Sequence, residues 1–238
     1  MRNYEFARHE FARLGVYGLG VYGLGDGWRD RMVDLGASPS TGLLVMTTIA
    51  QAHRILSYWF DLGWEENPKV RTEWLELDTN FDAALRERFV GLHTQALNHQ
   101  MLSWYEDAKT CLGLIVLLDQ FSRYMFRGTS AAFSGDGMAL MAADHALNLD
   151  FDQDFHPIPR LFFYLPFYHS EDQNNQAIAV DRLSQYQDDP VLGLFYTEAL
   201  RHQATIDRFG RFPDRNECLG RASTAEELAF LSEPRSHF

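Results

Sequence analysis

Residues 107–127 read DAKTCLGLIVLLDQFSRYMFR, and this stretch decides the fold class of the chain. Asp107 is a residue type that caps the first turn of a helix. The apolar residues that follow lie on one face of a helix of 3.6 residues per turn; they are Leu114, Ile115, Leu118, Phe121 and Met125. Gly128 is typical of a helix end. A helix this apolar needs other helices to cover it, so the stretch predicts a helical core.

The residues after Met46 continue the helical pattern almost to the end of the chain. We predict helix starts at capping or proline residues that precede apolar residues at helical spacing; these are Thr48, Thr79, Ser130, Pro190 and a capping box at Ser223–Glu226. Leu161–Tyr168 is predicted to form a very apolar helix, and Gly210 to end the helix that starts at Pro190. No stretch alternates polar and apolar residues over a strand length, so the pattern favours an all-α fold. Short connections predict an array of antiparallel helical hairpins.

Residues 1–45 differ from the rest of the chain. They contain a duplication, GVYGL at residues 15–19 and again at 20–24. Closely spaced glycines weaken a helix by about 1 kcal/mol each and give a strand little to pack. We therefore predict that residues 1–45 form an extension outside the core, with Met46 a candidate for the true start. Residues 46–238 are predicted to form a single helical domain.

The composition is that of a soluble globular protein, with 46% hydrophobic and 23% charged residues. A net charge of −12 argues against binding to nucleic acids or anionic membranes, because phosphate contact needs local positive charge. The longest apolar run, from Cys111 to Leu118, is far shorter than the ~20 residues that cross a membrane. We expect a cytoplasmic protein that binds neither nucleic acid nor membrane.

The first candidate site residues lie within residues 118–127, LDQFSRYMFR. Asp119, Arg123 and Arg127 are four residues apart, so they lie above one another on a helix face, and Gln120 adjoins them. Such a stripe is either a solvated ladder of ion pairs or half of a cradle for a carboxylate or phosphate. The sequence leaves both interpretations open.

The second group of candidates surrounds the apolar helix that Arg160 begins. His169 and Glu171 follow its end, and a His beside a carboxylate acts as a general base, a metal ligand or a helix cap. Pro166 is predicted to kink the helix and move His169 out of the regular hydrogen-bond ladder. His202 lies on the apolar face of a later helix, as a buried hydrogen-bonded side chain or as a site residue. We predict His169, Glu171 and His202 as the catalytic candidates.

The third group is the arginine-rich stretch RFGRFPDRN at residues 208–216. Gly210 and Pro213 fix a turn there, and on an extended backbone Arg211 and Arg215 would face one side together. Two guanidiniums held towards one point would bind an anion; we predict a ligand-binding set of Asp119, Gln120, Arg123, Arg127, Arg160, Arg211, Arg215, Asn216 and Arg221. In the alternative interpretation, these arginines cap helix carbonyls and pair with buried acids. No helix face carries two metal ligands at a recognised spacing, so we expect neither a metal site nor a cofactor.

These segments together resemble a family of bacterial proteins, the domain of unknown function 924, which has a tetratricopeptide-like helical fold. The shared motifs cover about residues 49–232; they are Tyr58–Phe60, Leu118–Arg127, Arg160–Glu171, Arg208–Asn216, Leu219–Arg221 and Ser223–Glu226. The resemblance implies an irregular tetratricopeptide-like array and no established activity. Two positions depart from the family pattern: Tyr124 stands where Asn is usual, and Asp214 where His is usual. The second departure weakens a proton-transfer role for this loop.

Two functions of different class follow from these residues. The first is a site for a small anionic ligand that carries phosphate or carboxylate, with acid–base chemistry at a histidine. The second is a scaffold that binds a peptide or protein in a groove between helices, with the charged residues as a buried ion network. Three or more arginines that converge beside a histidine would favour the first, whereas arginines that are each paired and sealed would favour the second. The oligomeric state does not follow from the sequence.

Overall fold

The computed structural model describes residues 39–74 and 76–233, with side chains from residue 46 onward. No strand occurs among these residues, and the all-α prediction is confirmed. The α-helices are α1 (Pro39–Phe60), α2 (Thr79–Leu97), α3 (Ala108–Ile115), α4 (Ser122–Met125), α5 (Asp136–Asn148), α6 (Pro157–Tyr168), α7 (Gln173–Ser184), α8 (Gly193–Phe209) and α9 (Ala225–Leu231). Single 3-10 turns lie between them at Thr72–Trp74, Leu102–Tyr105, Ser130–Phe133, Phe151–Asp154 and Pro213–Arg215.

Consecutive helices pack against one another in the second half of the chain. Helix α5 packs on α6, α6 on α7 and α7 on α8, which is the neighbour relation that short connections predict. The antiparallel hairpin array and its tetratricopeptide-like detail stay predictions. Aromatic side chains join the first helix to the middle of the fold, since the buried Trp59 ring packs against Phe121 and Phe162 with centroids 5.6 and 5.9 Å apart.

Local signals predicted two helix ends correctly. The Asp107 carboxylate accepts hydrogen bonds from the backbone N–H groups of Lys109 and Thr110 and so caps α3. Gly210 has φ = 68°, a left-handed conformation that favours glycine, and it ends α8 as predicted. Both signals act within one turn of the residue that carries them.

Two predicted N-termini are wrong by one residue. Asp78, rather than Thr79, caps α2, because its carboxylate accepts from the N–H groups of Asn80 and Phe81. The capping box of α9 is formed by Thr224 and Glu227 instead of Ser223 and Glu226. In both cases the neighbouring residue also has a capping side chain, so composition alone does not select between them.

Other predicted starts are wrong by more. Helix α1 begins at Pro39, well before Thr48. Helix α8 begins at Gly193 rather than Pro190, because the Asp189 side chain binds the N–H groups of the next residues and holds them in a turn. Ser130 starts only a 3-10 turn, and α5 begins later at Asp136. Helix α7 was not predicted.

Chain contacts divide the protein into two units, Met1–Val45 and Met46–Phe238. Residues 1–38 lie outside the described residues, and they include most of the predicted N-terminal extension and its duplication. The placement of the extension outside the core therefore stays a prediction. Within the described ranges, no helix is long and apolar enough to span a membrane.

Candidate acid–base site

The rod formed by α3 and α4 is interrupted by a π-helical segment, Val116–Phe121. A π turn holds more residues than an α turn, and such segments are frequent at functional sites. All six of its residues are buried, including the polar Asp119 and Gln120. The solvated ladder is therefore the wrong interpretation for Asp119, whose exposed fraction is 1%.

A buried polar chain and a close backbone contact fix this π segment. The Ser122 hydroxyl donates to the Leu118 carbonyl oxygen over 2.6 Å. Because that bond uses the hydroxyl proton, His93 Nε2 donates to Ser122 Oγ, also over 2.6 Å. Gly135 lies against the same carbonyl so closely that an added Cβ would stand 2.3 Å from the Leu118 oxygen. The residue preceding Asp119 is thus held from two sides.

The Asp119 carboxylate is bonded through both oxygens. Oδ1 lies 2.8 Å and Oδ2 3.0 Å from His169 Nδ1, and Gln120 Nε2 donates to Oδ2 over 2.6 Å. Arg123 Nη1 lies 3.4 Å from Oδ1. This arrangement orients the imidazole of His169 and directs its Nδ1 towards Asp119.

His169 is the C-terminal capping residue of α6. The predicted displacement by Pro166 is wrong, because the His169 N–H still donates to the Leu165 carbonyl over 2.9 Å. Pro166 sits close to the helix end, where the loss of its own N–H disturbs few further bonds. The His169 side chain is 13% exposed, and the hydrogen bonds that its ring makes among the described residues run through Nδ1 and leave Nε2 unused.

Burial and charge set the protonation states of this pair. Burial and the charge of Arg123 lower the pKa of His169, and the opposing influence of Asp119 does not cancel them. Burial acts to raise the pKa of Asp119, but the charges of His169 and Arg123 and the hydrogen bonds to the carboxylate outweigh it, so that pKa is lowered. At neutral pH, an ionised Asp119 therefore accepts the Nδ1–H of a neutral His169, and Nε2 presents a lone pair.

Asp136, at the first position of α5, adds a second carboxylate next to the pair. It binds both terminal nitrogens of Arg123, over 2.8 and 3.2 Å. Arg123 also donates to the backbone carbonyl of Asp119 over 3.0 Å. The Arg123 guanidinium is therefore largely neutralised by carboxylates. Sequence reasoning missed Asp136; its signal was a polar residue between two glycines, Gly135 and Gly137, within a stretch predicted as helix.

Arg215 is the least compensated charge at the site. Its exposed fraction is 7%, and its Nη1 donates to the His169 carbonyl over 2.9 Å. The nearest carboxylate oxygen, Oδ2 of Asp136, is 3.8 Å away. Burial, together with the charge of Arg123, lowers the pKa of Arg215 to about 10. This guanidinium carries five N–H groups, and among the described residues the His169 carbonyl is the acceptor that binds it.

The catalytic candidate Glu171 fastens the arginine-rich turn to the end of α6. Its carboxylate accepts from the N–H of Phe212 over 2.8 Å and from both terminal nitrogens of Arg221, over 2.6 and 2.9 Å. Arg221 also donates to Asn216 Oδ1, and Asn216 donates to Ser223. Both carboxylate oxygens of Glu171 are therefore bonded. We interpret the hydrogen bonds among Glu171, Asn216 and Arg221 as the contacts that fix the position of the turn that carries Arg215.

Three predicted ligand-binding arginines are engaged elsewhere. Arg127 pairs with Asp82, and Arg211 forms two bonds with the carboxylate of Glu227. Arg160 caps the backbone carbonyls of residues 152, 153 and 155 at the start of α6, about 13 Å along the helix axis from His169. The extended backbone expected at 211–215 is wrong as well, because Pro213–Arg215 is a 3-10 turn. Arg211 and Arg215 therefore have separate partners.

His202 lies next to the pair without joining it. It is 3% exposed, its Nδ1 lies 3.0 Å from the Tyr168 carbonyl, and its ring packs against that of Tyr168 at a tilt of 31° with centroids 3.8 Å apart. The rings of His202 and His169 have centroids 6.4 Å apart. Burial is the main cause that lowers the pKa of His202, so this residue is neutral in the folded protein. Among the residues described, no three His, Cys, Asp or Glu side chains cluster as metal ligands.

Comparison with known proteins places this site in a family. The profile of a family described as bacterial protein of unknown function (DUF924) matches residues 55–235, most of the chain. The chain belongs to the DUF924 family. A solved structure of a protein of unknown function from Agrobacterium tumefaciens is similar to this DUF924 chain, with 37% sequence identity and a TM-score of 0.70. The match covers 79% of this chain and 99% of the other. No curated protein matches the chain.

The predicted membership in DUF924 is confirmed, and the motifs that suggested it meet at one place in the fold. Leu118–Arg127 supplies Asp119, Arg160–Glu171 supplies His169, and Arg208–Asn216 supplies Arg215. Hydrogen bonds connect all three segments around the end of α6. The same three segments were separate candidates in the sequence.

Proposed function

We propose that this DUF924 chain binds a small anionic molecule at Arg215 and acts on it through His169 as a general base. The observation that carries the proposal is an imidazole oriented by Asp119 through Nδ1, together with a buried guanidinium that donates to the backbone carbonyl of the same histidine and whose charge acts on its ring. A general base must be unprotonated at working pH and within reach of the proton that it removes. The lowered pKa of His169 supports the first condition.

Asp119 stabilises the protonated form of His169 that proton removal produces. A proton taken up at Nε2 makes the ring positive, and the carboxylate 2.8 Å from Nδ1 stabilises that charge. The carboxylate also keeps the proton of the neutral ring on Nδ1, so the lone pair stays on Nε2. The role of Asp119 is positioning and electrostatic, since it is too buried to meet a ligand itself.

Arg215 supports anion binding. A buried guanidinium with one hydrogen bond retains donors that a carboxylate or phosphate oxygen satisfies. Arg123 is nearby but already binds Asp136, so we assign it an electrostatic role, in which its charge lowers the pKa of His169. The site is smaller than the predicted set, in which three or more arginines converge.

The paired arginines favour a structural role for part of that set. Arg127, Arg160, Arg211 and Arg221 each bind a carboxylate or backbone carbonyls, as the ion-network interpretation expects. A cavity of about 450 Å³ between α5, α6 and α7 is a candidate for the groove that the peptide-binding alternative requires, and it is lined by Leu147, Phe167 and Ile178 among others. It contains none of the predicted site residues. The peptide partner and the cytoplasmic location stay predictions.

Anion binding is tested by thermal unfolding in acetate, phosphate and chloride at matched ionic strength. We expect acetate or phosphate to stabilise the protein saturably, by about 2.7 kcal/mol at a hundredfold excess over its Kd. Chloride controls for general screening, which acts on all charges. Arg215→Lys should abolish most of the gain, because it keeps the charge but loses the planar fork.

Arg211→Lys is the matched control, since it makes the same change at an arginine that Glu227 already binds. We expect this variant to retain the stabilisation. If no anion stabilises the wild-type protein, or if both lysine variants behave alike, the proposal is wrong and the arginine cluster is structural.

A further inference from the structure

Among the charged groups described around His169, Arg215 is the cation with the fewest contacts. Asp136 is paired with Arg123, and Glu171 with Arg221. Asp119 lies behind the imidazole and is bonded to His169, Gln120 and Arg123, whereas Arg215 lies at the histidine's backbone carbonyl with a single hydrogen bond. A ligand that brings one negative charge compensates Arg215. A second negative charge would have no cation of its own and would face Asp136, whose Oδ2 is 3.8 Å from Arg215 Nη1.

Two aromatic rings lie close to the Arg215 guanidinium. Its Cζ lies 4.9 Å from the centre of the Phe133 ring and 4.3 Å from that of Phe212. Rings at this distance make cation–π contacts and occupy part of the surroundings of the guanidinium, so we take the edge that carries N–H groups as the side that a ligand reaches. Two donors along one edge match the two coplanar oxygens of a carboxylate.

His169 places a further requirement on the ligand. Its Nδ1–H is used on Asp119, so Nε2 is an acceptor and binds only a group that carries a proton. A ligand that satisfies both residues would therefore carry a carboxylate for Arg215 and an O–H or N–H group for Nε2.

We infer that the ligand of this site is a small monocarboxylate with an adjacent hydroxyl or amino group, rather than a phosphate or a dicarboxylate. The inference rests on the proposed function and narrows its substrate class. The proton that His169 removes would be the one on that hydroxyl or amino group, transferred to Nε2 without change of oxidation state.

The test is to measure the dissociation constants of four small probes for the wild-type protein by calorimetry. Glycolate and glycine carry the carboxylate and the neighbouring donor, acetate lacks the donor, and phosphate has a different shape and higher charge. We expect glycolate or glycine to bind at least tenfold more tightly than acetate and phosphate; which of the two binds identifies the donor as hydroxyl or ammonium. His169→Phe should abolish the advantage over acetate, and Arg215→Lys should weaken every carboxylate at least tenfold.

The outcomes separate this inference from the proposed function. Phosphate that binds as tightly as glycolate and glycine overturns the monocarboxylate assignment but leaves anion binding intact. Acetate that binds as tightly as both overturns the requirement for a donor. If none of the probes binds, the proposed anion site fails as well. The wild-type ranking decides these points even if a variant does not fold, and Arg211→Lys controls for the loss of any guanidinium.

Discussion

Replacing Gly135 with Ala should destabilise the protein and disturb the Asp119–His169 pair. The backbone of Gly135, with φ = −92° and ψ = −10°, is one that Ala adopts readily. On conformational grounds alone the change would therefore stabilise the fold by about 0.4–1 kcal/mol. Packing opposes this effect, because the new Cβ would stand 2.3 Å from the oxygen, 3.0 Å from the carbonyl carbon and 3.1 Å from the Cα of Leu118.

The steric effect should be the larger. All three contacts are with backbone atoms, which cannot rotate away as a side chain can, and overpacking of this kind costs about 1–3 kcal/mol. We expect a net loss of about 1–2 kcal/mol, which lowers the Tm of a chain of this length by roughly 2–8 °C. Leu118 precedes Asp119, so a shift of its peptide group should also change the hydrogen bond to His169.

Denaturant unfolding measures the first effect, and an NMR titration of the His169 ring measures the second. Gly91→Ala is the matched control, because Gly91 lies in α2 and a Cβ added there would have no atom within 4 Å. That variant should be more stable than the wild type by up to about 1 kcal/mol. A Gly135→Ala protein as stable as the wild type, with an unchanged His169 titration, would refute the argument.

Three further perturbations address the histidines. Asp119→Asn should lower the pKa of His169 further, because it removes a negative charge that favours the imidazolium; an NMR titration with an unchanged pKa would contradict this. Burial lowers the pKa of His93 from 6.5 to about 4, so its share of the stability is complete above pH 6.5 and is lost as the pH falls towards 4. Gln does not titrate, so the free energy of unfolding of His93→Gln should lack this loss at low pH, which is about 3 kcal/mol at full protonation. Chemical unfolding at several pH values measures it. Equal slopes of the free energy of unfolding against pH in the variant and the wild type would contradict the prediction. His202→Ala should cost about 1–3 kcal/mol through the lost buried hydrogen bond to Tyr168, and an unchanged unfolding midpoint would count against it.

The parts of the fold that the sequence predicts are those encoded within one or two turns. Asp107 caps α3 and Gly210 ends α8 because each acts on its own backbone. Helix α7 escaped prediction because it buries few side chains, Gln176, Ala179 and Leu183, and so has a weak apolar period. Neighbouring capping residues shifted other boundaries by one position.

The candidate site could be predicted only in part. Asp119, His169 and Arg215 were identified as polar residues in apolar or ordered surroundings, which is a local property. Their partners are set by tertiary contacts: Glu227 binds Arg211 from a helix that follows it, and Asp136 binds Arg123 from the next helix. The π segment could not be predicted from its own sequence either. The residues that hold it in place lie outside it: Ser122 directly follows the segment, and Gly135 precedes α5.

The late position of Arg215 and of the neighbouring Phe212 ring in the sequence determines when the site is assembled during synthesis. The ribosome releases Asp119 and His169 well before residues 212–221. These later residues supply Arg215, the Phe212 ring close to it, and the hydrogen bonds of Phe212 and Arg221 to Glu171. Domains of this size form their long-range contacts last. A nascent chain can therefore bury Asp119 and His169 while it still lacks Arg215, so the proposed site would be assembled only after residues 212–221 have been synthesised.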